Sequence, residues 1–227
     1  MKDALQSKPL LGKGIYTIPD MASILGIPYP KVLRWTNKFW NDRFGSQYQS
    51  SYSWNVDLTK AVNFHTLIEI YLFYELSQAG VKTKEILGAH EILSKQFDTY
   101  YPFAIKEVLN NIRTDGTKVL FEQKNGSIYT VDATKQFKLG FIREFFKNLD
   151  FGSDSLAVRF WPIGKERSII CDPYRQFGQP IIKGTNIQAE TIYRMYLADE
   201  PIDFIASIYE ISRKNVLDAI ELHKRAA

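Results

Sequence analysis

A ten-residue run near the C-terminus has the residue types of a phosphate-binding loop. Gly178 to Ile187 reads GQPIIKGTNI, with two glycines, a lysine and a threonine before a helical pattern. A nucleotide loop requires G-x-x-x-x-G-K-[ST], because the lysine after the second glycine reaches the outer phosphates. Here Lys183 precedes Gly184, and no βαβ pattern surrounds the run. The order predicts a glycine-punctuated turn, and a nucleotide-dependent transferase remains only as an enzyme-class alternative.

The remaining reactive side chains do not form a catalytic set. Cys171 is followed by Asp172, whose negative charge would raise the pKa of the thiol and so disfavour the thiolate nucleophile. His65 and Glu69 are spaced i, i+4, but one such pair without further ligands does not define a metal site. A single cysteine cannot form an internal disulfide. We therefore expect a protein that is not an enzyme and has no cofactor or metal.

Positive charge is concentrated at the N-terminal end of this 227-residue chain. Residues 1–60 hold eight Lys or Arg against four acidic residues, whereas the remainder holds 21 of each. A basic region on an otherwise balanced chain favours an anionic partner for that region. The chain has no signal-peptide pattern and no apolar run long enough to span a bilayer, so we expect a soluble, cytoplasmic protein without membrane contact.

Residues 16–40 carry the pattern of a helix-turn-helix. Thr17 is a candidate cap for a short helix that Gly26 ends, and a second helix starts around Pro28 and runs to about Asn41. On this second helix Val32, Trp35 and Phe39 form an apolar stripe. Basic residues with a similar spacing form a second stripe, which is a candidate DNA surface or a solvated face: Lys31, Arg34 and Lys38.

The next stretch, from Gly45 to Trp54, alternates polar and aromatic residues in its later part. This pattern predicts a β-ribbon or wing, with Tyr48, Tyr52 and Trp54 on one side. A surface hairpin that packs its aromatic rings on the domain is the alternative. Two long helices are then expected, from Asn63 to Gly80 and from Thr83 onward, followed by a short one starting at Pro102.

The middle of the chain has mixed character. The segments 118–123 and 127–132 predict a hairpin whose turn is Asn125-Gly126, and a helix is expected over about 135–149. Two further strand-like runs span 156–163 and 167–172. Aromatic residues of this region form either ordinary core or a ligand enclosure: Phe141, Phe145, Phe160 and Trp161.

The last fifty residues predict three helices. One spans Ala189 to Leu197, a second starts at Pro201 and buries Phe204, Ile205 and Ile208, and Ser212 caps the third. Such a unit serves DNA contacts and protein contacts equally well. Arg213 and Lys214 open its last helix, and together with the surface charge of Lys183 they are candidate partner-binding residues.

Two resemblances follow from these motifs. Residues 16–54, with YTIPDMASILGI followed by VLRW, resemble the winged helix-turn-helix of MerR-type regulators. Residues 169–224, with IICDPYRQFGQPIIKGTNI, look like a small antitoxin-like domain of unknown function found beside PIN-type ribonuclease toxins. In that family an Asp-Pro pair leads into a Gly-x-Pro-x-Ile-x-Gly-Thr run.

These resemblances imply a VapB-like antitoxin. It would bind a toxin encoded by the adjacent gene, and it would repress its own operon through double-stranded DNA, as a homo-oligomer. Carried over by position, the DNA-facing residues are Lys31, Arg34 and Lys38, with Arg43 and Tyr48 at or near the wing. The long coiled coil of MerR regulators has no counterpart in this sequence, which speaks against small-molecule sensing.

The sequence therefore predicts a mainly α, α+β fold in three segments. These are a winged helix-turn-helix with a helical extension over 1–115, a mixed α/β segment over 116–172 and a trihelical domain over 173–227. A stand-alone, effector-responsive MerR-like transcription factor is the alternative function.

Overall fold

The computed structural model describes residues 12–114, 119–122, 128–129 and 145–225. The chain divides into two compact units. The first combines Met1–Phe64 with Val158–Ala227, and the second is His65–Ala157. This division differs from the three consecutive segments that the sequence predicts, because the two helix-turn-helix patterns fold together into one unit.

The first unit begins with helices that local signals define. After the two-residue strand β1 (Tyr16–Thr17), α1 (Ile18–Leu25) is followed by α2 (Tyr29–Trp35). The chain stays helical beyond α2, first as a π-helix (Thr36–Gly45) and then as the single turn α3 (Ser46–Tyr48). The second helical stretch is thus longer than the predicted one, which ends at about Asn41.

A small antiparallel sheet completes this half of the first unit. β2 (Ser53–Val56) and β3 (Thr59–Val62) form a hairpin, and β1 pairs with the other edge of β3. The register places Trp54 opposite Ala61 and Val56 opposite Thr59. A β-ribbon is present, but it starts at Ser53 rather than near Gly45. The first residues of the predicted ribbon, Ser46–Tyr48, form a helical turn instead.

The other half of the first unit is built on the C-terminal residues. β9 (Ile169–Ile170) pairs with β10 (Ile181–Ile182), and three helices follow as predicted: α7 (Ala189–Leu197), α8 (Ile202–Ile208) and α9 (Arg213–Lys224). Buried aliphatic side chains from all of these elements share one core. The prediction for α8 is wrong in part: Ile205 is buried, but Phe204 and Ile208 are 47% and 51% exposed.

The second unit contains α4 (Phe64–Gln78, apart from its first residue), α5 (Thr83–Gln96), a 3-10 turn (Pro102–Ala104) and α6 (Lys106–Asn111). The strands β4 (Ile112–Thr114), β5 (Val119–Glu122) and β6 (Ile128–Tyr129) form an antiparallel sheet, and β7 (Leu149–Phe151) also lies in this unit. The next strand, β8 (Ala157–Phe160), has only its first residue here and otherwise belongs to the first unit. The predicted helix over 135–149 ends earlier than expected, since Leu149 is in a strand. The predicted Asn125-Gly126 turn, the segment 135–144 and the basic residues before Gly12 lie outside the described residues.

The fold class is α+β, with helices dominating and small sheets, as the sequence predicts. Within the described residues, none of the helices has both the length and the apolar composition needed to cross a bilayer.

Candidate nucleic-acid interface

The first helix of the helix-turn-helix is fixed by a complete capping box. The Thr17 side chain accepts a hydrogen bond from the Asp20 backbone N–H at 3.2 Å, and Asp20 Oδ2 accepts one from the Thr17 N–H at 2.9 Å. Both bonds satisfy amides that a helix start leaves without intrahelical partners. The sequence-based cap is confirmed, and it sets the direction in which α1 enters the fold.

The turn between the helices depends on Gly26. Its φ of 64° lies in the left-handed region, where a side chain is strained, and its N–H donates to the Ala22 carbonyl. Ile27 comes next and is buried at 2% exposure, which anchors the corner in the core. The tight corner places α2 beside α1, as a helix-turn-helix requires.

The second helical stretch has one buried face and one charged face. Val32 and Trp35 are buried, while Arg34 and Lys38 are exposed and Lys31 is half-buried. Arg34 and Lys38 make no ion pair with a described residue. The structure therefore exposes two of the three predicted basic residues, Arg34 and Lys38, to solvent.

A π-helix interrupts the regular α-helical register directly after α2. Such i→i+5 stretches are rare and are frequently found at functional sites. Trp40 and Phe44 of this stretch are fully buried, with ring centroids 6.0 Å apart in an edge-to-face arrangement. Arg43 is exposed on the same stretch and so lies on the helix rather than on the wing.

Tyr48 does not belong to the wing either. It lies in the final helical turn, its ring stacks on Phe44 at 6.2 Å, and its hydroxyl oxygen is buried. The alternation of polar and aromatic residues reflects packing against this helix end. Tyr52, also predicted on the ribbon face, is 1% exposed.

The hairpin is bonded directly to the helical stretch. Asn41 and Ser53 exchange two side-chain hydrogen bonds, at 2.9 and 3.1 Å. Lys60 of β3 donates from Nζ to Asn37 Oδ1 at 2.6 Å. These bonds hold β2 and β3 against the basic helix, so the two elements form one composite surface. Sequence reasoning missed Asn37, Asn41 and Lys60, because a hydrogen bond between residues twelve or more positions apart leaves no periodic signal.

The GQPIIKGTNI run and the residue before it form hydrogen bonds to the N-terminal half of the first unit. The Ile15 N–H donates to the Phe177 carbonyl at 2.7 Å, and Gln179 Nε2 donates to the Ile15 carbonyl at 2.8 Å and to Asp20 Oδ2 at 3.2 Å. Gln179 thus reaches the capping box of α1. Its role was not predicted from sequence.

Gly178 is required for a close approach in the same place. Its φ is 86°, and a Cβ there would lie 2.2 Å from the Tyr16 hydroxyl oxygen. Tyr16 is fully buried; burial, and then the nearby Cys171 and Asp172, raise the pKa of its hydroxyl well above the usual value. The prediction of a glycine-punctuated turn agrees with this geometry, and the turn holds the two ends of the first unit together.

The three predicted partner-binding residues have partners within the chain. Arg213 pairs with Asp203 of α8 at 2.5 Å, and Lys214 donates to the Glu166 carbonyl at 2.9 Å. Lys183 Nζ lies 5.2 Å from the centroid of the Trp161 ring. All three side chains are exposed, so these contacts occupy them without burying them.

The residues considered for catalysis occupy structural positions. Glu69 is fully buried; its Oε1 accepts the Phe103 N–H and its Oε2 contacts His90 Nε2, both at 2.6 Å. His65 Nε2 instead contacts the Ala157 carbonyl at 3.0 Å. Cys171 is buried, which raises the pKa of its thiol and keeps it protonated. Among the residues that the structure describes, no group of three or more His, Cys, Asp or Glu could hold a metal ion.

The aromatic residues predicted as core or ligand enclosure are buried where the structure describes them. Phe160 and Trp161 are buried in the first unit, and Phe145 is buried in the second. Phe141 lies outside the described residues.

A family model matches the C-terminal part of the chain. Residues 169–222 match a family model described as "Protein of unknown function (DUF433)". This segment coincides with the one in which the Gly-x-Pro run indicates an antitoxin-like domain of unknown function. The match covers the C-terminal helices together with β9 and β10.

Two mycobacterial proteins are similar over nearly the whole chain. The "Uncharacterized protein Rv2308" of Mycobacterium tuberculosis is 23% identical over 231 residues, which cover 99% of this chain and 96% of that protein. The crystal structure of Rv2018 from Mycobacterium tuberculosis superposes with a TM-score of 0.64 at 15% identity, covering 90% of this chain and 96% of the other. The fold of the chain is therefore one that a solved mycobacterial protein shares.

Proposed function

We propose that this protein is a DNA-binding transcriptional regulator that binds its own promoter. The observation that carries the proposal is the composite basic surface of the first unit. Arg34 and Lys38 extend from a helix whose opposite face is buried, and the Asn41–Ser53 hydrogen bonds fix a hairpin beside it. A helix of this kind enters the major groove, while a neighbouring β-ribbon contacts the adjacent backbone.

A symmetric operator would be bound by two copies of the chain. Helix-turn-helix proteins bind half-sites about one helical turn apart, and a homodimer presents its two reading helices at that spacing. A homo-oligomer is therefore part of the proposal.

We further propose that the protein acts as the antitoxin of a type II pair and neutralises a PIN-type ribonuclease encoded by the adjacent gene. Support comes from the DUF433 match over 169–222 and from the surface of the same segment. Phe204 and Ile208, one helical turn apart on α8, expose large apolar side chains. Exposed apolar groups of this kind mark protein contacts.

The charges around α8 indicate the chemistry of the toxin surface. Asp199 and Glu200 precede the helix and Glu210 follows it, so carboxylates flank its apolar side chains. Phosphates would be repelled here. A toxin surface with apolar side chains and a lysine- or arginine-rich rim is complementary.

DNA binding is tested by fluorescence anisotropy with a labelled duplex from upstream of the gene. Arg34→Ala and Lys38→Ala should each weaken binding about tenfold at moderate salt, and each should lower the slope of log K against log salt by about 1. Lys84→Ala, an exposed lysine of α5 in the second unit, is the matched control and should leave both quantities unchanged.

The C-terminal helix-turn-helix supplies a second comparison. Lys214→Ala should leave DNA affinity within about twofold of the wild type, because a residue without a phosphate contact adds no counterion release. If Lys214→Ala weakens binding as much as Arg34→Ala, the reading surface is not the N-terminal one. If the wild type binds the upstream duplex no better than an unrelated duplex, the promoter proposal is wrong.

The antitoxin role is tested by co-expression with the product of the adjacent gene. The two proteins should purify as one complex, and growth that the partner alone arrests should resume. Separate elution of the two proteins, with no rescue of growth, would reject the antitoxin role without affecting the DNA proposal.

A further inference from the structure

The first unit contains an open cleft between its two helix-turn-helix halves. Its volume is about 340 Å³. Ser23 and Ile24 of α1 line one part of it, and Tyr193 and Leu197 of α7 line another. Asp20 and His223 also line it, so the cleft connects the capping box of the DNA-binding half with the last helix of the DUF433 segment.

The apolar part of the cleft is suited to a flat ring. The imidazole of His223 stacks on the Tyr193 ring, with centroids 4.8 Å apart and planes 13° apart. Leu197 and Ile24 contribute aliphatic surface, and Leu197 is 61% exposed. Flat rings stack in an offset manner on such aromatic surfaces, and aliphatic side chains cover their edges.

One polar atom of the cleft lining lacks a hydrogen bond. This atom, His223 Nε2, is buried and has no hydrogen-bond partner among the described residues. Burial lowers the pKa of His223, and Glu190 opposes that shift only in part, so the ring is neutral near pH 7. A neutral imidazole nitrogen either accepts or donates one hydrogen bond, depending on its tautomer. A ligand hydroxyl does both, and it therefore satisfies either form.

The charges of the lining select against anions. Glu190 pairs with Arg194 at 2.6 Å, so these two charges sum to zero. Asp20 then contributes a net negative charge, although its Oδ2 already accepts bonds from Thr17 and Gln179. An anionic ligand would be repelled by this carboxylate.

We propose that the cleft binds a small, uncharged aromatic alcohol, with its ring against Tyr193 and Leu197 and its hydroxyl on His223 Nε2. The volume is at the lower end of small-molecule sites, so it holds a ligand of one or two rings. Ligand binding in the cleft requires neither DNA nor a toxin, so its test is independent of the proposed function.

The test uses 4-methylphenol, with toluene as the matched ligand that lacks the hydroxyl, and the full-length protein without DNA. Ligand-observed NMR titrations should give a dissociation constant for 4-methylphenol about fivefold lower than that for toluene, as one net hydrogen bond provides. The anion 4-hydroxybenzoate should bind more weakly than 4-methylphenol.

Three variants locate the site. His223→Phe keeps the stacked ring but removes the nitrogen, so the preference for 4-methylphenol over toluene should disappear. Ser23→Phe fills the cleft and should abolish binding of both ligands. Ser207→Phe makes the same change at an exposed position of α8 outside the lining and should leave both constants unchanged. Melting curves establish that each variant is folded.

Several results would overturn the proposal. One is a wild type that binds neither ligand, and another is a wild type that binds toluene and 4-methylphenol with equal affinity. A folded His223→Phe that still prefers 4-methylphenol over toluene would also overturn it. Equal loss of binding in Ser23→Phe and Ser207→Phe would place the ligands elsewhere.

Discussion

The two helix-turn-helix halves of the first unit differ in surface chemistry. In the N-terminal half, Arg34 and Lys38 are exposed without ion pairs to described residues. In the C-terminal half, Arg213 is paired with Asp203, and Phe204 and Ile208 expose apolar side chains. The N-terminal half thus exposes positive charge, and the C-terminal half exposes apolar side chains.

Helix-turn-helix topology alone therefore does not assign a function. A helix-turn-helix reads DNA only where its second helix carries unpaired basic or polar groups. By this criterion we propose a DNA contact for the N-terminal half and a protein contact for the C-terminal half. Four sets of variants test this contrast between the halves.

The greatest loss should be in the stability of the C-terminal half. Asp218 of α9 is fully buried; its Oδ2 accepts bonds from the Ser168 N–H and Oγ, both at 2.8 Å, and its Oδ1 contacts Arg167 at 3.3 Å. Asp218→Ala should lower the free energy of unfolding by about 3 kcal/mol, because these groups lose their acceptor. The melting temperature should fall by roughly 6–12 °C.

Asp203→Ala is the matched control for that change. Asp203 forms an exposed ion pair with Arg213, so its removal should cost less than about 1 kcal/mol. Equal losses for the two variants would show that the buried carboxylate does not anchor α9.

The second prediction separates the two surfaces. The double change Phe204→Asp with Ile208→Asp should weaken binding of the adjacent-gene toxin by at least about 30-fold, the effect of losing a hot spot. DNA affinity should stay within about twofold of the wild type. Arg34→Ala should instead weaken DNA binding and leave toxin affinity unchanged. Calorimetry with the toxin and anisotropy with the promoter duplex measure the two affinities.

Ser207→Asp is the control for added charge on α8, since Ser207 is exposed on the same helix. It should weaken toxin binding far less than the double variant does. A toxin complex that tolerates the double variant would remove α8 from the interface.

Sequence patterns predicted the local parts of this fold well. The Thr17 and Ser212 caps, the Gly26 corner and the three C-terminal helices all follow from signals within a few residues. These features depend on neighbouring backbone groups, so propensity and capping rules are sufficient to place them.

Features that depend on distant residues were not predictable in the same way. The start of the hairpin shifted because Tyr48 packs on Phe44 and extends the helix. The exposed state of Phe204 and Ile208 could not be inferred either, because the periodicity of α8 identifies an apolar face but not what covers it. Nothing local in Gln179 indicates its bond to Ile15, 164 positions away.

A third prediction concerns how the hairpin supports DNA reading. Asn41→Ala removes both hydrogen bonds to Ser53 and so loosens the hairpin against the basic helix. DNA affinity should fall by about fivefold, the effect of roughly 1 kcal/mol. The salt slope should not change, because no phosphate contact is removed.

An unchanged slope of log K against log salt would distinguish a displaced hairpin in Asn41→Ala from a lost phosphate contact in Arg34→Ala. Asn186→Ala, at an exposed position of the C-terminal run, is the matched control and should leave affinity unchanged. A reduced salt slope for Asn41→Ala would mean that Asn41 itself contacts a phosphate.

The weakest effect should be the pH dependence that His223 adds to the C-terminal half. Burial lowers the pKa of His223 below its usual value of about 6.5, and the carboxylate of Glu190 partly opposes this. The unfolded chain therefore binds a proton at a higher pH than the folded chain does. The stabilising contribution is fully present above about pH 6.5 and is lost as the pH falls through the pKa of the folded state.

His223→Phe should remove this component, so urea titrations between about pH 7.5 and 5 should show a smaller loss of stability for the variant than for the wild type. Glu190→Gln should lower the pKa of His223 further, because the attraction that favours the charged ring is gone. NMR titration of the His223 ring measures this shift directly. A midpoint above 6.5 in the wild type would contradict the prediction, since the ring would then be stabilised in its charged form.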